Sequence, residues 1–229
     1  MEALQLRLDL NKNFFIRDPQ NTELGKRIVG EGTLLISAIG FENFTFKKLS
    51  IKIGSAEASI YRYFENKHKF LIYLIARYWA WMEFKIDYNT NNIDGAEEKL
   101  DAALNVISHK AEADFTFPEI DESLLQKIVI AETDKIYLTK QVDEDNKIGL
   151  FKGYKSLCHK IAAMVTEINP DYKYPRALAS TLLEASHQQI FFAQHLNSLT
   201  EVNDLRDPFG QNYGFLKSLV CNAINTVHE

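Results

Sequence analysis

The chain lacks most of what a disulfide-stapled, membrane-spanning or metal-knuckle protein requires. Its 229 residues include only two cysteines, Cys158 and Cys221. They form no close-spaced pair and no disulfide framework, which suits a reducing compartment. Five prolines and ten glycines are too few for a fold rich in tight turns, so long helices are favoured. The longest apolar run, FLIYLIARYWAWMEF from Phe70 to Phe84, is interrupted by Arg77 and too short to cross a bilayer. The opening MEALQLRLDL carries Glu2, Arg7 and Asp9, not the basic-then-apolar layout of a signal peptide. These absences lead us to expect a soluble, cytoplasmic protein with no membrane partner. No Gly-rich phosphate loop, Ser/His/Asp grouping or Cys-rich metal knuckle occurs either. The expectation is a non-enzyme with no cofactor and no metal.

Charge is short of positive sign overall, at −5, which argues against a polyanion partner. Its distribution argues the other way. Residues 1–70 hold 11 Lys/Arg against 8 Asp/Glu, while residues 71–229 hold 15 against 23. Within Thr45–Lys69 six basic residues (Lys47, Lys48, Lys52, Arg62, Lys67, Lys69) meet two acidic ones, Glu57 and Glu65. A polyanion would find an attractive patch on a repulsive body, although a solvated helix face has the same composition.

Periodicity points to an all-α fold. Residues 1–20 read as an arm: LQLRLDL alternates like a short strand, and Asp18-Pro19 breaks it. Asn21 or Thr22 can cap a first helix with Ile28, Gly32, Leu35, Ile36 and Ile39 on one face, closed by Gly40. Thr45 caps a second, in which Phe46, Leu49 and Ile53 recur at spacings of three and four, and Gly54 ends it. Ser55 or Ala56 opens a very short third, with Ile60 and Phe64 inward, and a long fourth runs from about Lys67 to Tyr88. Two short helices about a glycine, flanked by longer ones, make a helix-turn-helix layout. Further helices are expected at 94–113, 121–139, 144–168, 174–197 and 211–227.

A helix-turn-helix that grips DNA needs small or polar residues at the tip entering the major groove. Ala56, Glu57, Ala58 and Ser59 occupy that place. It also needs hydroxyls and cations on the flanks for phosphate. Thr45, Lys47, Tyr61, Arg62, Tyr63 and Lys67 can supply them. Core filling is the competing use of the two tyrosines.

The string FTFKKLSIKIGSAEASIYRYFENKHKFL resembles the N-terminal domain of the tetracycline repressor (TetR) family of transcriptional regulators. The matching positions are Gly40-Phe41 at the turn, Thr45 and Leu49 in the second helix, and Gly54 before the third. Ile60, Tyr61, Tyr63, Phe64, Lys67 and Leu71 complete the line. The likeness covers about residues 22–75. It implies that Thr45, Tyr61 and Lys67 clamp phosphates while Ala56 to Ser59 and Arg62 approach base edges. Two positions depart from the family pattern. Ser55-Ala56 stands where Val-Ser is common, so Ser55 would have to cap one residue early. Glu57 replaces a usual Lys, Arg or Gln; a carboxylate repels phosphate but accepts from a cytosine amino group, so modest affinity and a cytosine in each half-site are expected.

The resemblance also implies a division into an arm (1–20), a DNA-binding domain (21–70) and a helical effector-binding and dimerisation domain (71–229). Leu178, Leu182, Phe191, Phe215 and Leu219 in the last two long helices are the expected dimer face, although a monomer core explains the same stripes. Tyr78, Trp79 and Trp81 are candidates to line a pocket for a small apolar or aromatic effector. The leading expectation is a homodimeric repressor on a near-palindromic operator, released by that effector. Two alternatives compete. One is a metal-dependent helical bundle using the Glu65/His68 and Glu184/His187 pairs. The other is a helical sensor or adaptor without DNA binding, for which Glu57 and the acidic body argue.

Overall fold

The computed structural model describes residues 8–109, 111, 120–202 and 208–225. In chain order the α-helices are α1 (Glu23–Asn43), α2 (Phe46–Ile53), α3 (Glu57–Tyr61), α4 (Lys67–Thr90), α5 (Ala96–Ser108) and α6 (Glu122–Glu132). They continue as α7 (Asp134–Tyr137), α8 (Val142–Lys147), α9 (Lys152–Ile168), α10 (Pro175–His195) and α11 (Pro208–Asn225). Short 3₁₀ turns stand at Lys12–Phe14, Pro19–Asn21 and Asn197–Leu199. Among the described residues there is no strand, and the expected all-α fold is present. No helix among them is long and apolar enough to cross a membrane. Most of the alternating LQLRLDL segment, and the ends expected for helices 94–113 and 211–227, lie outside the described residues.

Tertiary contacts divide the chain into two compact units. One comprises Met1–Ala80 and Ala111–Lys152, the other Trp81–Lys110 and Gly153–Glu229. Packing of α1 against α6 groups α6 to α8 with the N-terminal helices.

In the first unit local chemistry sets the boundaries. Thr22 caps α1 by accepting the Gly25 N–H at 3.0 Å, and Thr45 caps α2 by accepting that of Lys48 at 3.2 Å. Gly54 ends α2 at φ 61°, ψ 40°, a left-handed conformation that a residue with a Cβ enters at a cost. Asn66 caps α4 by accepting the Lys69 N–H at 2.9 Å. Ile28, Leu49, Ile53, Ile60 and Phe64 are buried, as their spacing predicts. Around them Phe70 is the hub of an aromatic cluster. Its ring stacks on Phe44 at 5.5 Å and meets Phe64 edge-on at 4.9 Å, and Phe64 in turn meets Tyr73 at 5.3 Å.

Two expected helices are divided. The 121–139 segment breaks at Thr133 into α6 and α7. The 144–168 segment breaks at Gly149, where φ is +84°, into α8 and α9. Asn11 and Asn13 of the arm both donate to the Ile148 carbonyl that this turn presents, at 2.6 and 3.2 Å.

The second unit packs α10 and α5 against α11, with α9 tied to the end of α4. Lys160 of α9 reaches Glu83 at 3.0 Å and Asp87 at 2.6 Å. Tyr213 donates to Asp101 of α5 at 2.5 Å, and Lys217 pairs with the same carboxylate at 2.6 Å. That cation and the tyrosine hydroxyl hold the Asp101 carboxyl below the ordinary carboxylate range. Between α10 and α11 the contact includes polar groups: buried Asn212 donates to the Ser186 carbonyl at 2.9 Å.

Candidate nucleic-acid interface

α2 is an eight-residue helix with one apolar stripe. Phe46, Leu49 and Ile53 point inward, and Lys47, Lys48, Ile51 and Lys52 are exposed. Five-residue α3 buries only Ile60, which leaves Ala56, Ala58, Tyr61 and Arg62 exposed and Glu57 and Ser59 half-buried. The Tyr61 ring rests edge-on against Phe46 at 5.1 Å and remains 47% exposed, so the phenol is braced at its base and free at its hydroxyl end. Thr45 is exposed, and because its oxygen accepts the Lys48 N–H its own O–H is left to donate outward. Ala56 and Ala58 at the tip, the braced phenol and the capping hydroxyl are all in solvent on this helix pair.

The cations divide into two groups. Lys47 and Arg62 are exposed and have no ion pair or side-chain hydrogen bond among the described residues. Lys48 donates to the Asn43 carbonyl at 2.8 Å, and Lys52 pairs with Glu31 at 3.3 Å. Lys69 lies 4.0 Å from Asp145. Lys67 turns inward: its ammonium donates to the carbonyls of Phe41 and Glu42 at 3.2 Å and of Phe44 at 3.4 Å, over the Phe41 ring at 4.7 Å.

Two of the expected phosphate contacts, Lys67 and Tyr63, are engaged within the chain itself. The three ammonium protons of Lys67 are taken by main-chain carbonyls at the end of α1. Tyr63 is buried; its hydroxyl is 2.7 Å from that of Thr22, its carbonyl accepts the Ile16 N–H at 2.8 Å, and Arg17 lies over its ring at 5.6 Å. Both groups tie parts of the first unit together; Tyr63 is buried and Lys67 half-buried. Nor does Ser55 cap α3: Ala56 takes the capping position, and no side chain caps the helix.

The other expected sites differ in exposure. Leu178 and Leu182 of α10 are buried within their own unit. Leu182 has no exposed area and Leu178 only 6%, so neither has appreciable surface to lose to a partner. Phe215 is 42% exposed, and Leu219 and Phe191 are half-buried, so these three have surface to give. Tyr78, Trp79 and Trp81 are buried core aromatics. Burial raises the Tyr78 phenol far above its ordinary value, and Trp79 donates to the Tyr137 hydroxyl at 3.0 Å. A recess of ≈ 670 Å³ in the second unit is lined by none of the three, but by residues that include Leu100, Leu104, Val220, Cys221 and Ile224.

Among the described residues no three His, Cys, Asp or Glu side chains converge as a metal-binding group. His187 is buried, and desolvation pushes its imidazole down to about 4.

The main feature that local pattern reading missed is Glu132 of α6, which accepts the Phe41 N–H at 3.0 Å. Its neighbour Lys135 pairs with both Glu132 and Glu42, at 2.7 and 2.8 Å. The i,i+3 spacing of Glu132 and Lys135 was visible; their partner on α1 was not.

No family model matches the sequence, and no curated protein does either. Solved structures do match the fold. The fatty acid degradation regulator FadR from Bacillus halodurans superposes with a TM-score of 0.59 at 17% identity, covering 88% of this chain and 98% of that one. A TetR-family transcriptional regulator from Pectobacterium atrosepticum gives 0.58 at 14%, covering 90% and 100%. AibR, solved in complex with isovaleryl coenzyme A and operator DNA, gives 0.59 at 13%, covering 88% and 100%. The chain has the fold of the TetR-family transcriptional regulators.

Proposed function

We propose that the protein is a cytoplasmic, homodimeric TetR-like regulator that represses transcription from a near-palindromic operator. The observation that carries this reading is the outward side of α2 and α3. There Thr45, Lys47, Ala56, Ala58, Tyr61 and Arg62 stand together in solvent above a closed aromatic core. Thr45, Lys47 and Tyr61 take phosphate, while Ala56 to Ser59 and Arg62 meet base edges. Twofold pairing sets the two copies about 34–36 Å apart, one turn of duplex. The pairing surface uses Phe215, Leu219 and Phe191. Residues 71–229 carry the regulatory and dimerisation role, with the arm and residues 21–70 before them. The effector is a small apolar or aromatic molecule; one similar structure, AibR, is in complex with isovaleryl coenzyme A, which shares only an apolar acyl end with that class. It must bind the released form better than the DNA-bound form, since equal affinity shifts nothing.

The test is selection of duplexes from a random library by the full chain, followed by a salt titration of the selected sequence. A regulator enriches an inverted repeat and loses affinity steeply as salt rises. Absence of enrichment at every salt concentration would leave the adaptor reading, which Glu57 on α3 favours.

A further inference from the structure

α1 does not run unbroken to its end. At Gly40 the backbone leaves the helical region (φ 75°, ψ 157°) and one further turn follows, Phe41–Asn43, before Phe44 leads into the Thr45 cap of α2. A break of this kind removes Phe41 from the intrahelical ladder and leaves its N–H without a helical acceptor. That group is buried, and a buried donor without a partner costs more than an ordinary hydrogen bond contributes. Its partner comes from outside the helix: the carboxylate Oε1 of Glu132, at 3.0 Å. Oε2 of the same carboxylate lies 2.7 Å from Lys135 Nζ, and that ammonium lies 2.8 Å from Glu42 on the broken turn itself.

The opposite, acceptor side of the turn is held by Lys67 at the start of α4, through the carbonyls of Phe41, Glu42 and Phe44. Residues 41–44 are thus gripped twice, by their N–H from α6 and by their carbonyls from α4. They are also the only covalent link from α1 to α2. Moving Glu132 relative to this turn must break the Phe41 hydrogen bond or carry the turn with it, and α2 begins two residues after Phe44, beyond its Thr45 cap.

We infer that Glu132 is a positioning residue for DNA binding: its carboxylate, set by Lys135, latches the α1–α2 corner and so fixes the angle at which α2 and α3 are presented. This inference rests on the regulator reading proposed above. It assigns Glu132 no contact with DNA, and that separates it from a phosphate ligand.

The experiment compares the full-length wild type with Glu132→Ala and Glu132→Gln by two measurements. Amide hydrogen exchange is followed in peptides spanning residues 40–46. Affinity is measured for the duplex selected by the wild type, on the active fraction set by stoichiometric titration. Glu132→Gln keeps an acceptor for Phe41 and tests the ion pair; Glu132→Ala removes both. For Glu132→Ala we expect exchange at the corner to rise about tenfold and affinity to fall about tenfold, with the salt slope unchanged because no phosphate contact is lost. Glu132→Gln should show a smaller change in both. Unchanged exchange in Glu132→Ala overturns the latch. Faster exchange with unchanged affinity overturns the positioning role, and a flatter salt slope would make Glu132 part of the phosphate-binding surface instead. A wild type that selects no duplex overturns the regulator reading and the positioning role together, whereas variants indistinguishable from a DNA-binding wild type overturn this inference alone.

Discussion

The α1–α3 region and the α10–α11 pair solve opposite problems with the same helical material. In the first, Ile28, Leu49, Ile53 and Ile60 are inside and Thr45, Lys47, Ala56, Ala58 and Arg62 outside, with Leu34 and Ile51 also in solvent. In the second, polar groups lie inside, with Ser186, His187 and Asn212 buried, while Phe215, Leu196 and Leu199 are exposed. A surface that hides polar groups and shows aromatic and aliphatic ones is not minimising its own apolar exposure. The first region closes its aromatic core within one chain, whereas the α10–α11 pair leaves Phe215 in solvent, as the pairing surface proposed above requires.

The comparison breaks most visibly at the two phenylalanines that represent it. Phe70 is fully buried and touches three other rings, so Phe70→Ala should cost about 3–5 kcal/mol and lower the melting temperature of the first unit. Phe215→Glu removes a side chain already 42% exposed and should leave monomer melting nearly unchanged. Sedimentation velocity should nevertheless show dimerisation weakened by at least about tenfold, from a charge placed in an apolar contact. If Phe215→Glu dimerises as the wild type does, α11 is not the pairing surface.

Acid sharpens the same contrast, because the buried imidazole belongs to the second unit alone. Burial holds His187 at about 4 in the folded chain, below its unfolded value near 6.5. Between those values the unfolded chain binds a proton that the folded chain does not. Stability is therefore level above about pH 6.5, falls as pH drops towards 4 and levels off below it. The loss is at most about 3 kcal/mol. Urea titrations at stepped pH should show this limb in the wild type and lose it in His187→Gln. A limb that persists in the variant would assign the acid sensitivity elsewhere.

Much of the fold was legible because it is written locally. Thr22, Thr45 and Gly54 act within four residues of their own position, and the cap and turn chemistry they carry is visible in any short window. The break at Gly149 was missed for the converse reason: the residues that use the exposed Ile148 carbonyl, Asn11 and Asn13, come from the other end of the unit. Leu178 and Leu182 are buried in the single chain, which periodicity did not show because α10 is apolar over more than one face and the pattern cannot say which face meets its own unit. Around α3, spacing anticipated the exposure of Ala56, Ala58, Tyr61 and Arg62 but not the partners of Tyr63 and Lys67. Thr22 and the α1 carbonyls lie 41 and 23–26 positions away in the chain.

Lys47 and Lys67 turn that last distinction into the finest measurement. Both are lysines in the basic stretch, and residue counting makes them equivalent. Lys47 is exposed with no ion pair or side-chain hydrogen bond among the described residues, whereas Lys67 donates to three carbonyls beneath the corner that leads into α2. If Lys47 neutralises a phosphate, Lys47→Ala releases about one counterion fewer per chain, and the plot of log affinity against log salt flattens by about one unit. Lys67→Ala removes no phosphate contact but strands three carbonyls, so affinity should fall with the slope unaltered, and exchange at residues 41–44 should quicken. The two lines for the lysine variants would then cross. Parallel lines displaced by the same amount would mean that the Lys67 ammonium leaves its carbonyls for the duplex, and the corner would have to be held by Glu132 alone.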